Sequence, residues 1–106
     1  MSRSRILVEA EIGVSGAASF DSLVRSLNNA DLAIGHPSIE VADFSLLSAE
    51  GVVKIRLILS GDTYAQAESI ATSFLQTVDE FINSWKYEGQ PAHVRATDGS
   101  LLLMPA

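Results

Sequence analysis

The chain has 106 residues, no cysteine, and 13 Asp plus Glu against 7 Lys plus Arg, a formal net charge of −6. That length supports one core without staples, and 47% hydrophobic against 19% charged residues is the balance of a packed globule rather than a disordered chain. The missing thiols exclude disulfides, zinc–thiolate sites, iron–sulfur clusters and cysteine nucleophiles. The acid surplus and the scattered bases argue against nucleic acid or an anionic membrane surface as partner.

No stretch approaches the ~20 apolar residues of a membrane span. Glu9 and Glu11 interrupt the apolar run that a signal peptide needs. A cytoplasmic protein of one domain, residues 1–106, is the expectation.

In chain order, residues 5–12 alternate: Ile6, Val8, Ala10 and Ile12 fall on one strand face, and Leu7, Glu9 and Glu11 on the other. Gly13 to Ser19 reads as a small-residue loop with Ser19 as helix N-cap. Phe20, Leu23, Val24 and Leu27 then recur at helical spacing to about Asn29, and Gly35-His36-Pro37 stops any continuation. Residues 38–47 form a second strand with broken parity, so a bulge near Ala42 or Asp43 is expected. A short hairpin at 48–51 leads into a third strand. Val53, Ile55, Leu57 and Leu59 share its apolar face, and Lys54 and Arg56 its polar face.

Residues 64–86 carry the strongest signal. At about 100° per residue, Tyr64, Ala67, Ile70, Ala71, Phe74, Leu75, Val78, Phe81, Ile82 and Trp85 fall in an arc of roughly 140°. Thr63 and Gln66 have capping-box spacing, and Lys86, Gly89 and Pro91 mark the end. Residues 92–97 read as a fourth strand, Asp98-Gly99 as a two-residue hairpin, and 100–104 as a fifth strand.

This βαββαβ order with an extra C-terminal strand matches the pattern of the ferredoxin-like (split-βαβ) α+β sandwich. It implies two helices on one face of an antiparallel sheet ordered 4-1-3-2. A cystatin-like or other α+β arrangement uses similar elements.

With strands one and three as neighbours, the open face sets Glu9 and Glu11 beside Lys54 and Arg56, with His93, Arg95 and Thr97 one strand away. The simplest meaning is a solvated face with cross-strand ion pairs, each worth about 0.2–1 kcal/mol. The sharper one is a ligand-binding cleft or a subunit interface.

The histidines, His36 and His93, have no metal-ligand spacing around them, and no metal or cofactor is expected. Gly13-Val14-Ser15-Gly16 spells neither a nucleophile elbow nor a P-loop. The run Leu101-Leu102-Leu103-Met104 implies burial on both strand faces. A 64–86 helix of roughly 34 Å overhangs a third strand of about 26 Å, leaving Phe81, Ile82 and Trp85 in need of cover. These seven apolar residues form the candidate interface, covered by the chain's own end or by an exchanged or added strand of a partner.

No catalytic residue is identified. The expected function is therefore protein association, as a homodimer. A small-molecule-binding regulatory domain with an unidentified ligand is the alternative, and an enzyme of the dimeric α/β-barrel type a second one.

Overall fold

The computed structural model describes residues 4–16, 19–48, 51–87, 89–91 and 94–105. Its elements run β1 (Ser4–Ser15), α1 (Phe20–Asn29), β2 (Ile39–Ser48), β3 (Val52–Gly61), α2 (Tyr64–Asn83), the short strands β4 (Lys86–Tyr87) and β5 (Gln90–Pro91), and β6 (Arg95–Pro105). Together they make a small α+β unit. Four strands form one sheet ordered β2-β3-β1-β6, with every neighbouring pair antiparallel, while β4 and β5 make a separate two-residue ladder.

Alternation in β1 and β3 decides which side of the sheet is inside. Their register pairs Ile6 with Leu59, Val8 with Leu57, Ala10 with Ile55 and Ile12 with Val53. All eight side chains are buried, and they meet Leu23 and Leu27 of α1 and Ala67, Ala71, Phe74, Val78 and Ile82 of α2 in a single cluster. Both helices thus lie on the inner face. α2 starts where its caps dictate. Thr63 Oγ1 accepts from the Gln66 N–H at 3.1 Å, a donor that the first turn leaves open, and Gln66 Oε1 accepts from the Asp62 N–H at 2.8 Å, tying down the backbone just before the cap. Ser19 caps α1 in the same way, accepting from the Ser22 N–H at 3.4 Å.

Several expectations are corrected. α2 ends at Asn83, not Lys86, because the Ser84 hydroxyl donates to the Glu80 carbonyl at 2.7 Å and closes the last turn. Trp85 lies beyond the helix yet is only 7% exposed, and Ile82 is fully buried. With Val94 also fully buried in the same cluster, the overhang is covered by the chain that follows it. β1 extends through Ser15, so the loop before α1 is shorter than the 13–19 expected.

The strand-two bulge falls at Glu40, between the pairs Ile39↔Leu59 and Val41↔Ile58, rather than near Ala42. It leaves Ile39, Ala42, Phe44 and Leu46 facing inward and Val41 outward, 39% exposed. The chain beyond Gly35 is not helical; a 3-10 turn spans Leu32–Gly35.

The largest correction concerns the C-terminus. Residues 95–105 are one strand, not two joined by a hairpin. Ile12 pairs with Gly99 and Val14 with Ala96, so Thr97 and Asp98 together oppose Gly13 alone, a β-bulge. A Cβ on Gly99 would stand 3.0 Å from the Glu11 carbonyl oxygen. The glycine serves close strand approach, a role that local sequence does not separate from a hairpin turn. The run 101–104 alternates rather than being buried on both sides: Leu101 and Leu103 pack toward the core, while Leu102 is 59% exposed.

Two positions test the packing. Gly51 has φ +97°, its carbonyl accepts from the Val14 N–H at 2.7 Å, and a Cβ there would collide with the Val14 carbonyl oxygen. Gly51→Ala should lose about 1–3 kcal/mol from backbone strain alone, and Phe74→Ala about 3–5 kcal/mol through the cavity it leaves. Tyr64→Ala, at a site 51% exposed, should change urea-denaturation midpoints little.

Candidate functional site

Because both helices cover the inner face, the outer face of the sheet carries whatever side chains alternation places there. Register arranges them in rows that run across all four strands. One row is apolar: Val41, Ile58, Leu7 and Met104. The next is Asp43, Arg56, Glu9 and Leu102, and the one after is Ser45, Lys54, Glu11 and Ser100. Ile58, Leu7 and Met104 are half-buried by neighbours, while Val41, Asp43, Ser45, Arg56, Glu11, Ser100 and Leu102 are exposed.

The cross-strand ion pairs expected from the sequence form around Glu9. Its carboxylate lies 3.5 Å from the Arg56 guanidinium and 3.9 Å from Lys54 Nζ. At these distances and exposures each contact contributes well under about 1 kcal/mol. Glu11 stands opposite Lys54 in the register. Outside these rows, Arg5 Nε reaches Glu40 Oε2 at 3.1 Å across the rim.

The other candidates separate. Arg95 pairs with Ser15 at the far end of β1, and the strand neighbours of Glu9 and Glu11 are Leu102 and Ser100 instead. His93 lies outside the described residues. Among the interface candidates, Ile82 and Trp85 are buried by their own chain and Phe81, Leu101 and Leu103 are packed against the core, whereas Leu102 and Met104 face outward. Among the described residues no three His, Asp or Glu side chains gather as a metal site. No helix among the described residues is long and apolar enough to cross a membrane.

Two asparagines that local sequence patterns do not flag secure the sheet edges. Asn28, at the end of α1, donates from Nδ2 to the Phe44 carbonyl at 2.9 Å and accepts the Phe44 N–H on Oδ1 at 3.0 Å. It mimics a strand neighbour on the outer edge of β2. Asn83 Oδ1, at the end of α2, accepts the Ala96 N–H of β6 at 3.0 Å. An edge whose N–H and C=O groups are occupied is a poorer template for another strand.

The clefts are shallow. One of about 220 Å³ lies beside His36, whose Nε2 is 3.4 Å from Thr77 Oγ1 and whose ring meets Phe74 edge-on at 5.4 Å. Another, about 230 Å³, runs between α2 and β6 past Leu75, Asp79 and Leu101. These two fall below the 300–1,000 Å³ or so of pockets that engulf a small molecule. Two larger hollows, about 420 Å³ along the exposed side of α2 at Glu68, Thr72 and Gln76 and about 370 Å³ beside Asn83, Arg95 and Ala96, lie on the open surface.

Desolvation beside this second cleft raises the Asp79 carboxyl above its ordinary value. A raised folded-state value means that the folded protein holds the proton more tightly than the unfolded chain. Stability therefore falls as pH rises through the aspartate range, and the cost is fully present at neutral pH. Asp79→Asn should accordingly gain stability over the parent at pH 7, with the gap closing as pH falls below about 4; urea denaturation at both pH values reads it.

The chain matches no family model, no curated protein and no solved structure.

Proposed function

We propose that the chain is an association module of ferredoxin-like (split-βαβ) kind that self-associates through its outer sheet face. The observation that carries this reading is the unbroken apolar row Val41–Ile58–Leu7–Met104, with Leu102 beside it, on the side of the sheet that neither helix covers. An antiparallel sheet tolerates one wet face, but such a face normally alternates to polar residues. A row of four apolar side chains across every strand departs from that pattern and marks a surface that gains by leaving water. Support for the ferredoxin-like reading is the order β2-β3-β1-β6 with antiparallel neighbours. The long bulged last strand and the small β4–β5 ladder are departures from the simple plan.

Four strands about 4.8 Å apart and some ten residues long present a footprint of roughly 600 Å² before side-chain relief is counted. That approaches the ~800 Å² of accessible surface each partner contributes to a standard interface. The asparagine clips at Phe44 and Ala96 favour the face over the edges as the site of contact.

Sedimentation equilibrium at micromolar concentration should show a dimer. Val41→Asp/Leu102→Asp, at two exposed positions, should give a folded monomer with unchanged circular dichroism. A parent chain that stays monomeric at high micromolar concentration overturns the reading, as does a double variant that remains dimeric.

A further inference from the structure

The rows on the outer face do more than offer apolar area; their charges choose an orientation. Resting on the self-association just proposed, we infer that the second copy docks about a two-fold axis lying between the stacked sheets, parallel to the strands, and midway between β1 and β3.

A face-to-face homodimer is isologous, so each residue contacts the residue that the two-fold presents to it. Two directions within the plane of contact are available. An axis parallel to the strands, placed between β1 and β3, lays β1 over the partner's β3 and β2 over the partner's β6 while keeping each row over itself. Leu7 then faces the partner's Ile58, and Val41 faces the partner's Met104. Glu9 faces the partner's Arg56, and Glu11 the partner's Lys54. Every central charge meets its opposite and every residue of the apolar row meets another.

An axis across the strands does the reverse. Each strand then meets itself with its row order inverted. Centred on the Glu9 row, it sets Glu9 against the partner's Glu9 and Arg56 against the partner's Arg56, and it drops the apolar row onto the Lys54–Glu11 row. Centred on the apolar row, it sets Glu9 against the partner's Arg5 but Asp43 against the partner's Glu40, so favourable and opposed charges meet in one contact. Like charges held together at an interface cost more than they return, so the strand-parallel axis is favoured. Twist tilts aligned sheets by about 30°, so the pairing is closest at the centre, where Leu7, Glu9, Arg56 and Ile58 sit.

The charge balance of the face fits a second copy of the same chain. Its rows hold three acids, Glu9, Glu11 and Asp43, against two bases, Lys54 and Arg56. The chain as a whole carries −6, so most of the surplus that would repel an identical partner lies elsewhere. An acidic or a basic protein would find half of these charges opposed to it, whereas an identical copy finds all four central ones complemented.

The chain has no cysteine, so single cysteines report contacts directly. Val41→Cys and Met104→Cys would be prepared as separate chains, then mixed and treated with a bismaleimide short enough to bridge sheets about 10 Å apart. Covalent dimer should form in the mixture and stay at background in each variant alone, since the two copies of residue 41 are then offset sideways by about 14 Å. Asp43→Cys mixed with Leu102→Cys, both at exposed positions, should behave alike and guards against a variant that fails to fold.

Cross-linking of Val41→Cys with itself, or of Val41→Cys with Ser45→Cys, places the axis across the strands and overturns the orientation. A dimer by sedimentation that cross-links through neither expected pair overturns the orientation and leaves self-association standing. A monomer overturns both.

Discussion

The register between β1 and β3 is the constraint on which the rest depends. Pairing Val8 with Leu57 and Glu9 with Arg56 puts Ile6, Val8, Ala10, Ile12, Val53, Ile55, Leu57 and Leu59 on one side and the charges on the other, with Leu7 and Ile58 among them. A slip of one residue would exchange the two sets. It would place Glu9 and Glu11, or Lys54 and Arg56, under Phe74 and Val78, where unpaired charges cost several kcal/mol each. The helices enforce this choice. α2 brings Ala67, Ala71, Phe74, Val78 and Ile82 to one side only, and nothing in the described chain is left to cover the other. The uncovered face is a direct consequence of how the core is built.

Local irregularities adapt the flanking strands to that central pair. The bulge at Glu40 moves Phe44 and Leu46 onto the core face despite their parity with respect to Ile39, and turns Val41 outward to complete the apolar row. The bulge at Thr97–Asp98 keeps Leu101 and Leu103 under α2 and turns Leu102 out. The same two edge strands are held by side chains from the helix ends, Asn28 on Phe44 and Asn83 on Ala96. Packing, edge protection and the composition of the outer face are thus linked through a few residues at the ends of α1 and α2.

Much of this was legible in the sequence wherever one residue's neighbours settle its environment. The faces of β1 and β3, the capping of α2 by Thr63 and Gln66, and the grouping of Glu9 with Lys54 and Arg56 follow from period and spacing. What escaped depends on partners distant in the chain. Asp98-Gly99 spells a turn locally, and only the nearby Glu11 carbonyl makes it a bulge. Trp85 continues the helical arc in sequence but reaches the core after the helix has ended at Asn83. Phe81, Ile82 and Trp85, which the sequence left in need of cover, are covered by their own chain, while on the opposite side of the sheet Val41 and Leu102 are exposed.

The most direct test of the outer face as the contact surface is a dilution series of ¹⁵N–¹H correlation spectra, because it reports association and its location together. Amide resonances of Leu7, Glu9, Glu11, Lys54, Arg56 and Ile58 should move in concert as the chain is diluted, while those along α1 and the exposed side of α2 stay fixed. Spectra that do not change with concentration, or changes confined to the helices or to one sheet edge, would contradict it.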